Sequence, residues 1–282
     1  MFRTRLISGI VLVILLIITM NAGGMVLLAT CAFISLVGLY ELYRVMKMEK
    51  TVMGIIGYII TVLWYYCVYV HATEPGDHIP YLLVLSFMTI AMLCCFVIGY
   101  PKYSAEMLFA GAFGVLYVPF MISYIFRTRA EVPLGNWFGY MIYIASWGSD
   151  TCAYCAGRLW GKHKMTPLLS PKKTVEGAVG GVAGAAILST LFGLWMCIDR
   201  GEPYEILPAF AVIGACGALI SMVGDLAASG IKRAYGVKDY GKLIPGHGGI
   251  LDRFDSVIIT APIVYYLADF FMKGYMVPPM LK

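Results

Sequence analysis

Apolar stretches of roughly 17 to 25 residues recur from one end of this chain to the other, and that recurrence leaves few folds open to it. A segment of that length crosses a hydrocarbon core about 30 Å thick, where a backbone can satisfy its own hydrogen bonds only as a helix or a closed barrel. Nine windows fit approximately over residues 5–20, 25–43, 54–70, 80–99, 105–126, 136–157, 177–198, 207–229 and 253–272. A soluble globule is excluded, because it has too little interior to hide a chain that is 60% hydrophobic and 13% charged. The expected fold is all-α: a polytopic membrane protein with about nine transmembrane helices.

The first window, with Arg3 and Arg5 before it and Ala22, Gly23 and Gly24 after it, has the outline of a signal peptide. Eight further spans favour a first transmembrane helix. Cytoplasmic loops are enriched in Lys and Arg. Arg3, Arg5, Arg44, Lys47, Lys50, Lys102, Arg158, Lys162, Lys164, Lys172, Lys173, Lys232, Arg233, Lys238, Lys242 and Arg253 fall on one side, sixteen of the twenty-one. Arg127, Arg129, Arg200, Lys273 and Lys282 fall on the other, beside Glu74, Asp77, Asp199, Glu202 and Glu205. The N-terminus is therefore expected in the cytoplasm and the C-terminus outside, in a bacterial inner membrane. The net charge of +5 gathers on the cytoplasmic face, where an anionic lipid surface or a phosphorylated substrate accounts for it without nucleic acid.

The eight cysteines lie inside predicted spans and form no disulfide framework; Cys152 and Cys155 make a lone CxxC read as helix packing. No repeat or long linker interrupts the chain. One membrane domain over 1–282 is expected, with helices of 1–130 mainly as scaffold and the chemistry in 136–272.

Two segments hold an outsized share of the polar groups. One runs from Ser229 to Asp255, the other from Asp150 to Gly177. A carboxylate at membrane depth costs a few kcal/mol on insertion scales, so each is a functional candidate. Asp150 is expected about 12 Å inside the sixth span, at 1.5 Å per residue. Asp225 lies a turn or more inside the eighth, and Asp252 and Asp255 share one face at the start of the ninth. Hard oxygen ligands of this kind suit Mg2+, which takes a few carboxylates plus waters and substrate phosphates. In the competing reading each aspartate simply pairs with a nearby base, Asp225 with Lys232 for example. Glu41, Glu106 and Asp269 read as interfacial or structural.

Pro245, Gly246, His247, Gly248 and Gly249 precede the ninth span, so that backbone amides could gather at a helix N-terminus as a phosphate cradle. Lys232, Arg233, Lys238 and His247 crowd the same loop. In SPKKTVEG, Lys172 and Lys173 can neutralise a polyphosphate, Ser170 or Thr174 can cap the following helix, and Glu176 sits in its first turn. Gly177, Gly180, Gly181 and Gly184 have the spacing of close helix packing. This inventory suits a cytoplasmic-face active site that handles a polyphosphate, a divalent metal and a lipid. No Ser-His-Asp pattern, nucleophile elbow or GxxxxGK[ST] loop accompanies it.

Ser229, Ile231, Lys232, Arg233, Lys238, Asp239, Gly241, Ile244, Pro245, His247, Gly248, Gly249, Asp252, Arg253 and Asp255 together resemble the signature of the CDP-diacylglycerol synthases, or phosphatidate cytidylyltransferases. SDTCAYCAGRLWGKHK followed by SPKKTVEG is similar to the region preceding that signature. The resemblance is strong over 140–272. It implies a magnesium-dependent reaction of CTP with phosphatidic acid to give CDP-diacylglycerol and pyrophosphate, the lipid phosphate attacking the α-phosphorus. It further implies metal ligation by Asp225 and Asp252, with Asp255 or Asp150 in support. Lys172, Lys173, Lys232, Arg233 and Arg253 would offset substrate charge, and His247 would bind phosphate without moving a proton. The resemblance leaves room for a second cation such as K+, and small-residue helix faces leave room for a homodimer.

Two other classes use similar parts. A CTP-dependent lipid kinase would transfer the γ-phosphoryl group instead. A secondary transporter would carry its carboxylates near the bilayer midplane, and would be expected to show inverted repeats.

Overall fold

The computed structural model describes residues 2–74 and 81–276; Asp77, Lys282 and the side chains of Arg3 and Arg5, used above to infer sidedness, lie outside it. Helices make up nearly all of the described chain. In order they are α1 (Phe2–Ala22), α2 (Gly24–Val45), α3 (Val52–Thr73), α4 (Tyr81–Ile98), α5 (Ala105–Val115), α6 (Met121–Glu131), α7 (Gly135–Tyr143), α8 (Ser149–Trp160), α9 (Val175–Arg200), α10 (Leu207–Ala234) and α11 (Leu251–Met276). Their starts follow local chemistry. Thr51, Ser104 and Thr174 cap α3, α5 and α9, each side chain accepting from an amide three residues on. Gly201, at φ 68°, ends α9 in the left-handed region that glycine tolerates.

Among the described residues, seven helices are long and apolar enough to cross a membrane. The other two expected spans are helical as well, but depart from the count for separate reasons. The described apolar part of α1, Ile7–Ala22, is shorter. The window 136–157 is broken by a π-turn at Ile144–Gly148, which joins α7 to α8 and is followed at once by Ser149, Asp150 and Thr151. A second π-turn, Leu116–Phe120, joins α5 to α6 around Pro119, which has no N–H to give the ladder.

Two compact units divide the chain. The first holds residues up to Arg127 together with Ala234–Phe254. Its core is built from α2, α3 and α5, with Leu39, Leu42, Tyr43, Met53, Ile60 and Trp64 almost fully buried. Tyr43 lies flat against Gly57 and Gly114, and its hydroxyl donates to the Gly111 carbonyl at 2.7 Å.

The second unit holds Thr128–Arg233 and residues from Asp255 onward. Its centre is the seam between α8 and α9. A side chain at Gly180 would strike Ala156, at Gly181 Ala153, and at Gly184 Cys152. The glycine spacing in α9 therefore does what it was read to do, and Cys152 is a packing residue in that seam. None of the eight cysteines forms a disulfide. Between α8 and α9 stands the exception to an all-helical fold, an antiparallel hairpin of β1 (Lys164–Thr166) and β2 (Ser170–Thr174).

Candidate active site

In the second unit, α8, the hairpin, the start of α9 and the C-terminal half of α10 enclose a cavity of about 360 Å³. Asp150, Tyr154, Arg158, Lys172, Lys173, Thr174 and Asp225 line it. The α8 contribution is one stripe, Asp150, Ala153, Tyr154, Gly157 and Arg158, at the i, i+3, i+4, i+7, i+8 spacing of a single helix face. Of that stripe the sequence singled out Asp150. Tyr154, Arg158, Met165 and Met222, which also line the cavity, were not picked out as site residues, because an aromatic, a lone base or a methionine does not by itself announce a site.

The hairpin is anchored at both ends. Thr174 Oγ1 accepts from the Gly177 amide at 3.1 Å, so Thr174 and not Ser170 caps α9. Its side chain also fills the space where Gly157, Gly161 and Gly177 lack a Cβ, which locks the end of α8 to the start of α9. Glu176 turns back. It accepts from the Lys162 amide at 3.1 Å, the His163 amide at 3.2 Å and His163 Nδ1 at 2.6 Å, and so pins the entry into β1. Ser170 is half-buried at the far end of β2 and is not among the cavity residues.

Asp225 and Lys173 meet in this cavity. Lys173 Nζ lies 2.6 Å from Asp225 Oδ2, and the Ser229 hydroxyl, one turn along α10, donates to Oδ1 at 3.5 Å. Both charged side chains remain about a quarter to a third exposed, so each can exchange this partner for a ligand (24% and 30%). The simple pairing of Asp225 with Lys232 is not what forms. Lys232 lies instead 3.7 Å from Asp255, with each side chain only 12% exposed. Gly224 makes this possible, since α10 crosses α11 so closely there that a Cβ would press on the Asp255 carbonyl and Ile259. Arg233 follows Lys232, exposed in the last turn of α10.

The remaining sequence-derived residues belong to the first unit. Asp252 opens α11 buried, and its Oδ2 accepts from the amides of Tyr240 at 2.8 Å, Gly249 at 2.9 Å and Gly241 at 3.4 Å. Glu41 accepts from the next two amides, Ile250 at 3.2 Å and Leu251 at 2.9 Å. Of the amides expected to cradle a phosphate at this helix N-terminus, that of Gly249 donates to the Asp252 carboxylate and that of His247 to the Ile244 carbonyl. His247 Nδ1 lies 2.6 Å from the Ser8 hydroxyl. Gly248, at φ 87°, takes a left-handed turn against the Asp252 carboxylate. Lys238 and Asp239 are exposed in the loop, and Arg253 is half-buried after Asp252.

Among the described residues no three His, Cys, Asp or Glu side chains gather as a metal cage. The cavity offers two carboxylates, Asp150 and Asp225, among three cationic side chains. That set fits Mg2+, which keeps waters and draws on substrate phosphates and does not need a closed protein shell.

Fold and cavity together define a membrane-embedded helical protein with a cavity lined by carboxylates and cationic side chains. Sequence comparison narrows this class. The cytidylyltransferase family matches residues 3–271 of the chain. A Staphylococcus saprophyticus protein named phosphatidate cytidylyltransferase is 31% identical over 272 residues, covering 94% of this chain and 98% of its own length. Relatives of the same name in Bacillus subtilis, 28% identical, and Staphylococcus aureus, 31% identical, cover 95% and 94% of this chain and 98% of their own lengths. The chain belongs to the cytidylyltransferase family.

Proposed function

We propose that this protein converts CTP and phosphatidic acid into CDP-diacylglycerol and pyrophosphate, with magnesium, at the cytoplasmic face of a bacterial inner membrane. One observation carries the reading: the cavity residues Asp150, Lys172, Lys173 and Asp225 form a charged pocket in a chain matched nearly end to end by enzymes named for this reaction.

Lys172 and Arg158 are placed to meet the negative charge of the triphosphate, and Lys173 would leave Asp225 to join them as phosphate enters. Asp225 and Asp150 would then hold Mg2+, which supplies charge neutralisation at the α-phosphorus and at the departing pyrophosphate. An oxygen of the phosphatidic acid phosphate bonds to the α-phosphorus, and the bond from that phosphorus to the bridging oxygen of the β-phosphate breaks. A phosphate monoester is largely ionised at neutral pH, so no side chain has to remove a proton. The protein's contribution is placement and charge, as in other phosphoryl-group chemistry.

The test uses purified protein in detergent with phosphatidic acid, CTP and Mg2+. CDP-diacylglycerol and pyrophosphate are expected in equal amounts, with the reaction abolished by EDTA and reduced at least 100-fold, about 2.7 kcal/mol of barrier, by Asp225→Asn. Full activity in EDTA, or in Asp225→Asn, would contradict the assignment.

A further inference from the structure

The first unit contains a buried acid that the proposed reaction does not use. Glu41 sits about one turn before the C-terminal end of α2, in a segment that hydropathy assigns to a membrane span, and its side chain is almost fully enclosed (3% exposed). A carboxylate enclosed in this way is costly unless it is hydrogen-bonded, so its retention calls for donors. Those donors are more than two hundred residues away. Both carboxylate oxygens receive amide hydrogens from the N-terminus of α11, Oε1 from Ile250 and Oε2 from Leu251. Gly241 and Gly249 leave no room for a Cβ, because the Glu41 carboxylate occupies that space.

The segment it grips, between Ala234 and Leu251, has little structure of its own. One isolated bridge, Ile244 to Gly248, and three glycines at positive φ, Gly236, Gly246 and Gly248, describe its backbone. A glycine-rich loop of this kind loses much conformational entropy when fixed, so contacts from outside must hold it. Three come from the N-terminal helices. Besides Glu41, the Arg44 guanidinium donates to the Tyr240 carbonyl at 2.7 Å, and the Ser8 hydroxyl contacts the Pro245 carbonyl at 3.2 Å and His247 at 2.6 Å. A carboxylate at a helix N-terminus also supplies the negative charge that site attracts.

We infer that Glu41, supported by Ser8 and Arg44, is a positioning residue that latches the 234–251 loop and the first turn of α11 into their working arrangement. The inference rests on the cytidylyl-transfer reading for its kinetic consequence only, which runs through the signature residues Lys238, His247, Asp252 and Arg253 that this segment carries. α1 and α2 thereby serve the reaction through the loop they hold, not merely as surrounding scaffold.

The latch is tested with full-length protein in detergent, by hydrogen exchange at residues 240–251 and by kcat and KM for CTP, on Glu41→Ala, Glu41→Gln and Ser8→Ala. Glu41→Ala is expected to speed exchange at Ile250 and Leu251 at least tenfold and to lower kcat at least tenfold, while exchange in α8 and α9 stays as in the parent. Glu41→Gln, which keeps one acceptor oxygen, is expected to fall between the two. If Glu41→Ala does not fold, Ser8→Ala decides: exchange at Gly246 to Gly248 should rise at least threefold with α8 and α9 unchanged. Parent-like exchange at the loop in a folded variant, or parent-like kcat in Glu41→Ala, overturns the inference. A parent protein that makes no CDP-diacylglycerol would overturn the reaction assignment, while the exchange data would still decide the latch.

Discussion

At the scale of single residues, Lys173 and Asp225 bear the heaviest demand. Their 2.6 Å contact, on partly exposed side chains, is an ion pair of modest worth to stability and suited to exchange for a ligand. Lys173→Met is accordingly expected to raise KM for CTP at least tenfold, about 1.4 kcal/mol, while the melting temperature shifts little; steady-state kinetics beside a thermal melt would check both. An unchanged KM would remove Lys173 from the triphosphate site. Both residues were legible in the sequence, since a lysine pair before a glycine-rich span and an aspartate within a span each break a strong hydropathic pattern. Their pairing was not, because helix spacing points from Asp225 to Lys232, and only the fold brings β2 to α10. Glu41 was read as interfacial or structural, and its partners at Ile250 and Leu251 leave no mark near it in sequence.

At the scale of elements, hydropathy located every helix that matters here but not the interruptions within them. The π-turn at Ile144–Gly148 sits in a segment with no proline to mark it, and it sets the start of α8 just before Asp150. The hairpin was not foreseen, because Ser170 to Thr174 is too short and too polar for a strand signal. The seam between α8 and α9 was foreseeable from glycine spacing and is the element contact most exposed to test. Gly180→Leu would drive a side chain into Ala156, with an expected destabilisation of about 1–3 kcal/mol. Thermal unfolding in detergent should show a lowered midpoint. A midpoint equal to the parent would mean that the helices are not packed this closely.

At the scale of the whole molecule, the account combines seven long apolar helices among the described residues with a pronounced asymmetry of basic residues along the sequence. That asymmetry makes a directional prediction. In a cysteine-free background, Lys172→Cys should react in intact cells only with membrane-permeant thiol reagents, and Glu202→Cys with impermeant ones as well. The reverse pattern would turn the protein over and place the cavity away from cytoplasmic CTP. The central claim, however, is the reaction itself, and the fate of the two ends of CTP tests it most directly. With CTP labelled separately at the α- and γ-phosphates, and phosphatidic acid and Mg2+ present, the α label should enter lipid while the γ label leaves as pyrophosphate. The γ label in lipid, with CDP as the second product, would mean a kinase and contradict the account.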